Sequence, residues 1–278
     1  MDETGVVTLG GRSYAVERDF VRPPPDLPLG FVSQVAVDGA GRLHVLRRGR
    51  PAVVVFAPDG GYLGHYAEAS ILDPYGIYCS PDDRLLVADR DTHQVVVLTG
   101  GGEELFRLGE RHRPRWEAPF SHPTDAAVAA DGRIFVSDGY GNGRVHRFAA
   151  DGRHELSWGR VGRGPGELMT PHAVWVDRDG RVLVVDRENG RVQVFDDEGA
   201  LLAIWDGFHN PMDIWLDAEG LAYVTDQIPS LHLMAPDGRR LGRCRPALNG
   251  AHGLFGDRGG NLYLAEIQPS RITRLRLL

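Results

Sequence analysis

Lysine is absent from this sequence: all 31 of its basic residues are arginine. An enzyme mechanism that forms a Schiff base through a lysine is therefore excluded. Cysteine is scarce as well, because Cys79 and Cys244 are the only two in 278 residues, which is too few for a disulfide framework. We interpret both cysteines as small core residues.

Nothing at the N-terminus resembles a signal peptide or a membrane span. The net charge of −7 does not favour nucleic acid or an anionic membrane as a partner. The hydrophobic fraction of 42% and the charged fraction of 25% are typical of a soluble globular protein. We therefore expect a cytoplasmic protein that binds neither nucleic acid nor a membrane.

A turn followed by a strand recurs six times along the chain. The residue before the first apolar position of each strand serves as an anchor, and the spacings between anchors are 42, 49, 48, 39 and 41 residues. The anchors are Arg42, Arg84, Arg133, Arg181, Gly220 and Asn261. Periods of about 40 to 50 residues with four short strands each are typical of a β-propeller. No segment is predicted to form a helix of any length, so the predicted fold is an all-β, six-bladed β-propeller.

The two ends of the sequence indicate how the ring of blades closes. The sixth repeat stops after strands at 261–265 and 271–277 and lacks an outer strand, whereas residues 13–20 form a strand-like run before the first complete repeat. Pairing of this N-terminal strand with the last blade would complete the sheet and cover its open edge. We predict a single domain over residues 1–278.

Two stretches share one pattern: residues 137–148 read SDGYGNGRVHRF and residues 185–195 read VDRENGRVQVF. Asn-Gly at a two-residue tip is a strong hairpin signal, so each stretch is predicted to form a hairpin. Tyr140 and Arg187 then lie where the first strand passes into the turn. In the fourth blade the pattern predicts strands at 173–177, 181–186, 191–195 and 201–205.

Five inner strands are predicted to begin after a proline or an alanine, and a sixth near Gln34. The residues that head the five strands are Tyr75, Thr124, His172, Met212 and His252. Equivalent positions of alternate blades face one another across a central channel, so His172 and His252 could hold one metal ion with Tyr75 as a third ligand. The alternative is that these histidines bond to water or to the backbone.

The sequence resembles the NHL-repeat propellers and, more closely, the peptidyl-α-hydroxyglycine α-amidating lyases (peptidylamidoglycolate lyases). The resemblance rests on SDGYGNGR at 137–144, on Trp158-Gly, Pro165-Gly and Pro171-His, and on DRENGRVQ at 186–193. It extends more loosely over all six blades. It implies a zinc-dependent lyase that splits an N-acyl α-hydroxyglycine into a primary amide and glyoxylate.

The resemblance also implies roles for individual residues. Tyr140 matches the base that removes the proton of the substrate hydroxyl, and Arg187 and Arg48 match arginines that surround the substrate. Two of three zinc ligands match His172 and His252.

The chain departs from that family at two positions. Tyr75 replaces the third zinc-binding histidine, and Gly250 replaces a methionine. A phenolate suits a harder ion than imidazole does, so iron or another divalent metal is an alternative to zinc. His122 is a candidate substitute ligand. A structural calcium bound by backbone carbonyls in the channel would leave no side-chain trace.

These residue types suit the collapse of a carbinolamide, in which a hydroxyl loses its proton and a C–N bond breaks. A phenol has an ordinary pKa near 10, and a nearby cation favours its phenolate, which suits Tyr140 to the role of base. A metal would act as a Lewis acid on the hydroxyl oxygen. Arg48 or Arg187 would pair with a substrate carboxylate. The structural alternative is that Tyr140 packs on its turn and Arg187 pairs with a neighbouring acid.

The leading hypothesis is a metal-dependent carbon–nitrogen lyase acting on a small α-hydroxy amide or a related carbinolamine. One alternative is a propeller hydrolase such as a lactonase, which usually needs carboxylate metal ligands in the channel. The other is a non-catalytic NHL scaffold that binds a protein partner.

The remaining repeated polar residues are interpreted as structural. Aspartates recur at the ends of strands and are predicted to bond turn amides; they are Asp89, Asp138, Asp186 and Asp226. Most of the other histidines are expected to be exposed, a set that comprises His65, His93, His112, His146, His154, His209 and His232.

Overall fold

The structure, a computed structural model, describes residues 5–246 and 250–278. The chain forms two compact units. The central unit is Ser70–Pro211, and the terminal unit combines Met1–Ala69 with Met212–Leu278. The prediction of a single domain over residues 1–278 stays a prediction, and residues 1–4 and 247–249 of that range lie outside the described residues.

The secondary structure is almost entirely β. The first strands are β1 (Gly5–Leu9), β2 (Arg12–Glu17), β3 (Val32–Val37), β4 (Leu43–Arg47), β5 (Val53–Phe56) and β6 (Tyr62–Tyr66). The next are β7 (Pro74–Cys79), β8 (Leu85–Asp89), β9 (Gln94–Leu98), β10 (Glu104–Leu108), β11 (Pro123–Val128), β12 (Ile134–Asp138), β13 (Arg144–Phe148), β14 (His154–Trp158), β15 (Pro171–Val176), β16 (Val182–Asp186), β17 (Arg191–Phe195) and β18 (Leu201–Trp205). The last are β19 (Pro211–Leu216), β20 (Ala222–Asp226), β21 (Ser230–Met234), β22 (Arg240–Cys244), β23 (Ala251–Gly256), β24 (Leu262–Ile267) and β25 (Ser270–Leu277).

Two 3₁₀ helices of three residues each, Arg90–Thr92 and Arg187–Asn189, interrupt the strands. In the part of the chain that the structure describes, no helix is long and apolar enough to cross a membrane.

The strands form six antiparallel sheets, which is the number that the repeats predict. Each predicted anchor precedes the second strand of a sheet: β4, β8, β12, β16 and β24 begin directly after their anchors, and β20 begins one residue later. The predicted strands of the fourth blade match β15 to β18, with the two outer strands at the predicted boundaries. The all-β repeat prediction is therefore confirmed blade by blade.

The terminal unit also confirms the predicted closure of the last blade. Its sheet has the order β1-β2-β25-β24-β23, so the N-terminal strand β2 pairs with β25 and supplies the outer strand that the sixth repeat lacks. The strand β1 adds a fifth member, because it forms a hairpin with β2.

The hairpins at Asp138 and Asp186 form as predicted, but their tips differ from the prediction. Residues 139–143 join β12 to β13 and residues 187–190 join β16 to β17, so neither connection is a two-residue Asn-Gly turn. The asparagine stands late in each turn, and its side chain bonds the strand-end carboxylate. Asn142 Nδ2 donates to Asp138 at 2.6 Å, and Asn189 Nδ2 donates to Asp186 at 2.8 Å.

Burial decreases from the inner strand of a sheet to its outer strand. In the second sheet every residue of β7, β8 and β9 is buried, whereas β10 has two exposed and two half-buried residues. The middle strands carry mostly valine and leucine, whose branched side chains suit a strand that is covered on both faces. The outer strand β10 includes the polar residues Glu104 and Arg107 because it is partly open to water.

A buried carboxylate joins two inner strands of the terminal unit. Asp213 on β19 is only 2% exposed and accepts hydrogen bonds from the backbone N–H groups of Leu254 on β23, at 2.5 Å, and Ile214, at 2.8 Å. Burial raises the pKa of Asp213 to about 7, although the two backbone hydrogen bonds and one from Gln34 act in the opposite direction. This carboxyl group is therefore protonated in the folded protein at mildly acidic pH.

Asp213 predicts a pH-dependent stability. Its pKa is higher in the folded than in the unfolded chain, so its contribution to the free energy of unfolding falls as pH rises from about 4 to 7 and stays low above that. In Asp213→Asn the amide oxygen still accepts the backbone hydrogen bonds but cannot ionise. Urea unfolding at pH 5 and pH 8 should show the native chain losing on the order of 2 kcal/mol more than the variant. An equal change in both proteins would contradict the assignment.

Candidate active site

Five inner strands begin with a β-bulge, in which one extra residue lies between two paired positions. The bulges lie between Val32 and Gln34, Pro74 and Gly76, Pro123 and Asp125, Pro171 and Ala173, and Ala251 and Gly253. The extra residues are Ser33, Tyr75, Thr124, His172 and His252. A bulge interrupts the ladder and redirects a side chain. The residues predicted to head these strands thus occupy the positions where the sheet can aim a side chain out of its own plane.

In the central unit, three of the predicted site residues form a hydrogen-bonded chain. The hydroxyl of Tyr75 lies 2.5 Å from the hydroxyl of Tyr140 and 2.7 Å from Nε2 of His172. Tyr75 and His172 are buried, at 2% and 3% exposure, whereas Tyr140 is 42% exposed. The chain therefore runs from a phenol that solvent and a substrate can reach to an imidazole that they cannot.

Strand-end aspartates hold the segments that lead into these bulges. Asp89 accepts hydrogen bonds from the backbone N–H groups of Leu72 and Asp73, and the Asp73 bond is 2.7 Å long. Asp186 accepts one from Met169, also at 2.7 Å. Both aspartates are fully buried. This confirms that they are structural and bond turn amides, and it shows that they fix the backbone just before Tyr75 and His172.

Tyr140 is placed by the glycine before it. A Cβ atom at Gly139 would collide with the carbonyl oxygen of Pro171 and would lie 2.8 Å from the methyl group of Thr124. Only glycine permits this close approach of two backbones. Because Pro171 directly precedes His172, the turn that carries Tyr140 lies against the strand that carries His172.

Arg90 is a further member of the site, and the sequence did not single it out. Its Cζ atom lies 5.0 Å from the ring centroid of Tyr75 and 5.3 Å from that of Tyr140. Its Nε is 2.9 Å from Asp73 and 3.0 Å from Asp91. Burial by itself would lower the pKa of Arg90, but the two carboxylates outweigh it and the pKa is raised. A permanent positive charge thus lies within cation–π distance of both phenol rings.

A sequence signal for Arg90 did exist. Arg90 directly follows the strand-end Asp89, as Arg187 directly follows Asp186, and each arginine begins a 3₁₀ helix. The two residues are therefore equivalent in the second and fourth blades. Arg187 could be identified from the sequence because DRENGR at 186–191 belongs to the motif that carries the family resemblance. The corresponding stretch DRDTHQ at 89–94 does not belong to that motif.

Arg187 lies beside the strand of His172 through its backbone. Its N–H donates to the carbonyl of Thr170 at 3.3 Å, and its guanidinium is 3.0 Å from Glu188. The pairing with an acid that the sequence left open is therefore present. Within the described residues, however, the buried Nε of Arg187 has no hydrogen-bond partner.

The terminal unit contains the other two predicted residues. The backbone N–H of Arg48 donates to Phe31 at 2.8 Å, and its guanidinium lies 4.9 Å from the centroid of the Phe31 ring. His252 is buried, and its Nδ1 lies 2.8 Å from the carbonyl oxygen of Ser33. Since a carbonyl only accepts, Nδ1 carries the proton of this bond.

The Tyr75 hydroxyl and His172 Nε2 lie closer together in this structure than two ligands of one zinc ion would. Two ligands of one tetrahedral zinc lie about 3.3 Å apart when each bond is about 2.0 Å. The Tyr75 hydroxyl is instead 2.7 Å from Nε2, the nitrogen that would bind the metal, and the two share a hydrogen bond. Among the described residues no group of three or more His, Cys, Asp or Glu side chains is arranged to hold a metal ion. The predicted site of His172, His252 and Tyr75 stays a prediction.

His122, the candidate substitute ligand, packs against His93 with ring centroids 4.8 Å apart. Its Nδ1 lies 2.9 Å from the hydroxyl of Ser121. Burial, followed by the neighbouring His93, lowers the pKa of His122. Most of the other histidines are exposed, as expected, namely His65, His112, His154 and His209. His93, His146 and His232 are buried. His146 and His232 bond the strand-end carboxylates Asp138 and Asp226, a pairing between neighbouring strands that the repeat pattern did not reveal.

Comparison with known proteins supports the sequence resemblance. A family described as a 6-bladed beta-propeller matches residues 125–226. A probable peptidyl-alpha-hydroxyglycine alpha-amidating lyase of Caenorhabditis elegans is 28% identical over 230 residues, which cover 74% of this chain and 64% of that protein. Peptidyl-glycine alpha-amidating monooxygenase A of Xenopus laevis is 31% identical over 216 residues, which cover 66% of this chain and 23% of that protein. NHL repeat-containing protein 3 of Mus musculus is 29% identical over 272 residues, which cover 86% of this chain and 78% of that protein.

Solved structures with the same fold include a gluconolactonase from Xanthomonas campestris, with a TM-score of 0.72 and 18% identity over 97% of this chain and 91% of that one. Virginiamycin B lyase from Staphylococcus aureus has a TM-score of 0.68 and 11% identity over 95% of this chain and 100% of that one. At these identities the likeness shows the fold alone.

The matches to the curated relatives have a limited extent, since the chain spans only 64% and 23% of the lengths of the Caenorhabditis and Xenopus proteins. Within that extent the similarity and the six sheets agree. The chain is a six-bladed, all-β propeller that is homologous to the peptidyl-α-hydroxyglycine α-amidating lyases and to NHL repeat proteins.

Proposed function

We propose that this chain is a carbon–nitrogen lyase that cleaves an α-hydroxyglycine-type amide, or a related carbinolamine, to an amide and glyoxylate or another carbonyl product. The observation that carries the proposal is the hydroxyl of Tyr140, a residue that is 42% exposed, which lies 2.5 Å from the hydroxyl of the buried Tyr75. Similarity to a probable amidating lyase and to an amidating monooxygenase supports the reaction class.

The proposed reaction needs one proton to leave an oxygen and one to reach a nitrogen. Tyr140 removes the proton of the substrate hydroxyl, because it is the exposed residue of the three that are hydrogen-bonded together. The C–O bond then becomes a carbonyl, the C–N bond breaks, and its electron pair stays on the nitrogen. That nitrogen takes up a proton and leaves as an amide. No oxidant or reductant is consumed.

Recognition of the substrate is assigned to arginine. The buried Nε of Arg187 lacks a partner in the described part of the chain, and a carboxylate oxygen is the natural acceptor for it. A guanidinium can present two parallel N–H groups to a carboxylate, which favours a small acid as the substrate. Arg48 is proposed as the second arginine. A zinc ion, if bound, would supply Lewis-acid chemistry at the hydroxyl oxygen, and the proposed steps do not pass through it.

Replacement of Tyr140 by phenylalanine tests the assignment of the base. Because the hydroxyl is lost and the exposed ring is kept, we expect kcat for glyoxylate release from N-benzoyl-α-hydroxyglycine to fall by about 10² to 10⁴-fold, with little change in Tm. Tyr62→Phe is the matched control, since Tyr62 is also partly exposed and its hydroxyl bonds His65. Undiminished activity in Tyr140→Phe would exclude Tyr140 as the base.

The same assay separates the alternative functions. Hydrolysis of glucono-δ-lactone without glyoxylate release by the native chain would favour a lactonase. Absence of both activities would favour a non-catalytic scaffold.

Replacement of Arg187 by glutamine tests carboxylate recognition. We expect KM for the carboxylate substrate to rise at least tenfold, about 1.4 kcal/mol, while KM for the corresponding primary amide analogue changes little. Arg178→Gln is the control, because Arg178 lies exposed in the turn between β15 and β16 of the same sheet. Equal effects on both substrates would show that Arg187 does not read the carboxylate.

A further inference from the structure

We infer that a cavity in the terminal unit binds a small zwitterion, namely a free α-amino acid with an aliphatic side chain. The cavity has a volume of about 330 Å³ and lies between the start of β25 and the connector of residues 18–31, which joins β2 to β3. Its apolar lining comes from Val21, Pro23, Pro28, Leu29 and Ile272. None of its residues takes part in the proposed lyase steps, so this site is independent of that reaction.

Hydrogen bonds fix the connector against β25. The backbone N–H of Phe20 donates to the carbonyl of Ile272 at 2.9 Å, and the backbone N–H of Val32 donates to Ser270 Oγ at 2.8 Å. Nη1 of Arg47 donates to the carbonyl of Pro28, also at 2.8 Å. The connector contains four prolines, whose rings fix φ. The cavity is therefore preformed, and a ligand pays little to order its walls.

Arg271 presents a hydrogen-bond donor to this cavity. Its side chain is only 7% exposed, and its Nε and Nη2 donate to the fully buried carboxylate of Glu266 at 3.0 and 3.1 Å. Within residues 5–246 and 250–278, its Nη1 makes no hydrogen bond, because Oδ2 of Asp19 is 4.0 Å away. A buried guanidinium N–H without an acceptor costs free energy, so an anionic oxygen of a ligand is favoured at Nη1.

Two further polar groups lie beside this donor. The Asp19 carboxylate lines the cavity, is exposed to solvent, and receives no hydrogen bond from the part of the chain that the structure describes. Ser270 Oγ already accepts a hydrogen bond from Val32, so its own proton can be donated to a ligand. The cavity thus offers donors and an acceptor next to each other, with one cation and one anion among them.

This pairing of charges selects the class of ligand. The carboxylate of an amino acid would accept hydrogen bonds from Arg271 and Ser270, its ammonium group would donate to Asp19, and its side chain would pack on the apolar lining. A simple anion would leave Asp19 without a partner and would meet an arginine whose charge Glu266 already offsets. Ligand pockets have volumes of about 300–1,000 Å³, so this small cavity suits a free amino acid rather than a larger metabolite.

Isothermal titration calorimetry of the native chain tests the class of ligand. We expect saturable one-to-one binding of L-leucine. Its analogue 4-methylpentanoate lacks the ammonium group and 3-methylbutylamine lacks the carboxylate, so each should bind at least tenfold more weakly, by about 1.4 kcal/mol. Absence of saturable binding of leucine at millimolar concentration would overturn the inference, and so would equal affinity for leucine and 4-methylpentanoate.

Replacement of Asp19 by asparagine locates the binding site. Asp19 has a φ of +52°, which asparagine also tolerates, so the variant removes the charge and keeps the backbone. We expect its affinity for leucine to fall at least tenfold while its affinity for 4-methylpentanoate does not fall. Asp26→Asn is the matched control, because Asp26 is exposed in the same connector and does not line the cavity. Unchanged affinity for leucine in Asp19→Asn would show that the amino acid binds elsewhere and would overturn the inference.

Discussion

The site depends on the buried carboxylates at the ends of the second strands. Asp89, Asp138 and Asp186 are each fully buried, and each accepts hydrogen bonds from the backbone amides that lead into an inner strand. An unpaired buried amide or carboxylate would cost free energy, so each pairing locks the preceding segment to its own sheet. The bulge that follows then directs one side chain out of the sheet. Repetition of this device places one selected side chain per blade, and the chemistry depends on which side chain each blade carries.

The central unit shows how a repeated frame becomes a single asymmetric site. The second blade contributes Tyr75 from its bulge and Arg90 from the turn after Asp89, whereas the fourth contributes His172 and Arg187 from the equivalent positions. The third blade contributes a structural Thr124 from its bulge and Tyr140 from a glycine-rich turn. Phenol, imidazole and guanidinium groups thus converge from positions that are alike in backbone and different in chemistry.

The blades could be predicted from the sequence because each strand carries its own local signals. These are β-branched residues within the strand and an Asp-Gly turn beside it, repeated with a regular period. The sequence also identified Tyr75, Tyr140 and His172, since the inner-strand motifs and the family resemblance mark them. It could not show that Tyr75 bonds both of the others, because that contact joins residues 65 and 97 positions apart. The position of Arg90 after Asp89 could have marked it, but its stacking on two rings from different blades is again a contact between residues far apart in the chain. The burial of His146 and His232 follows from side-chain pairing across a hairpin, which strand periodicity does not report.

The central claim is that Tyr140 takes the proton of the substrate hydroxyl as the C–N bond breaks. The most direct test is a solvent isotope effect on the native chain: the single-turnover rate of glyoxylate formation measured in H₂O and in D₂O. The account predicts a slower rate in D₂O, because the hydroxyl proton moves in that step. Equal rates in the two solvents would contradict the account.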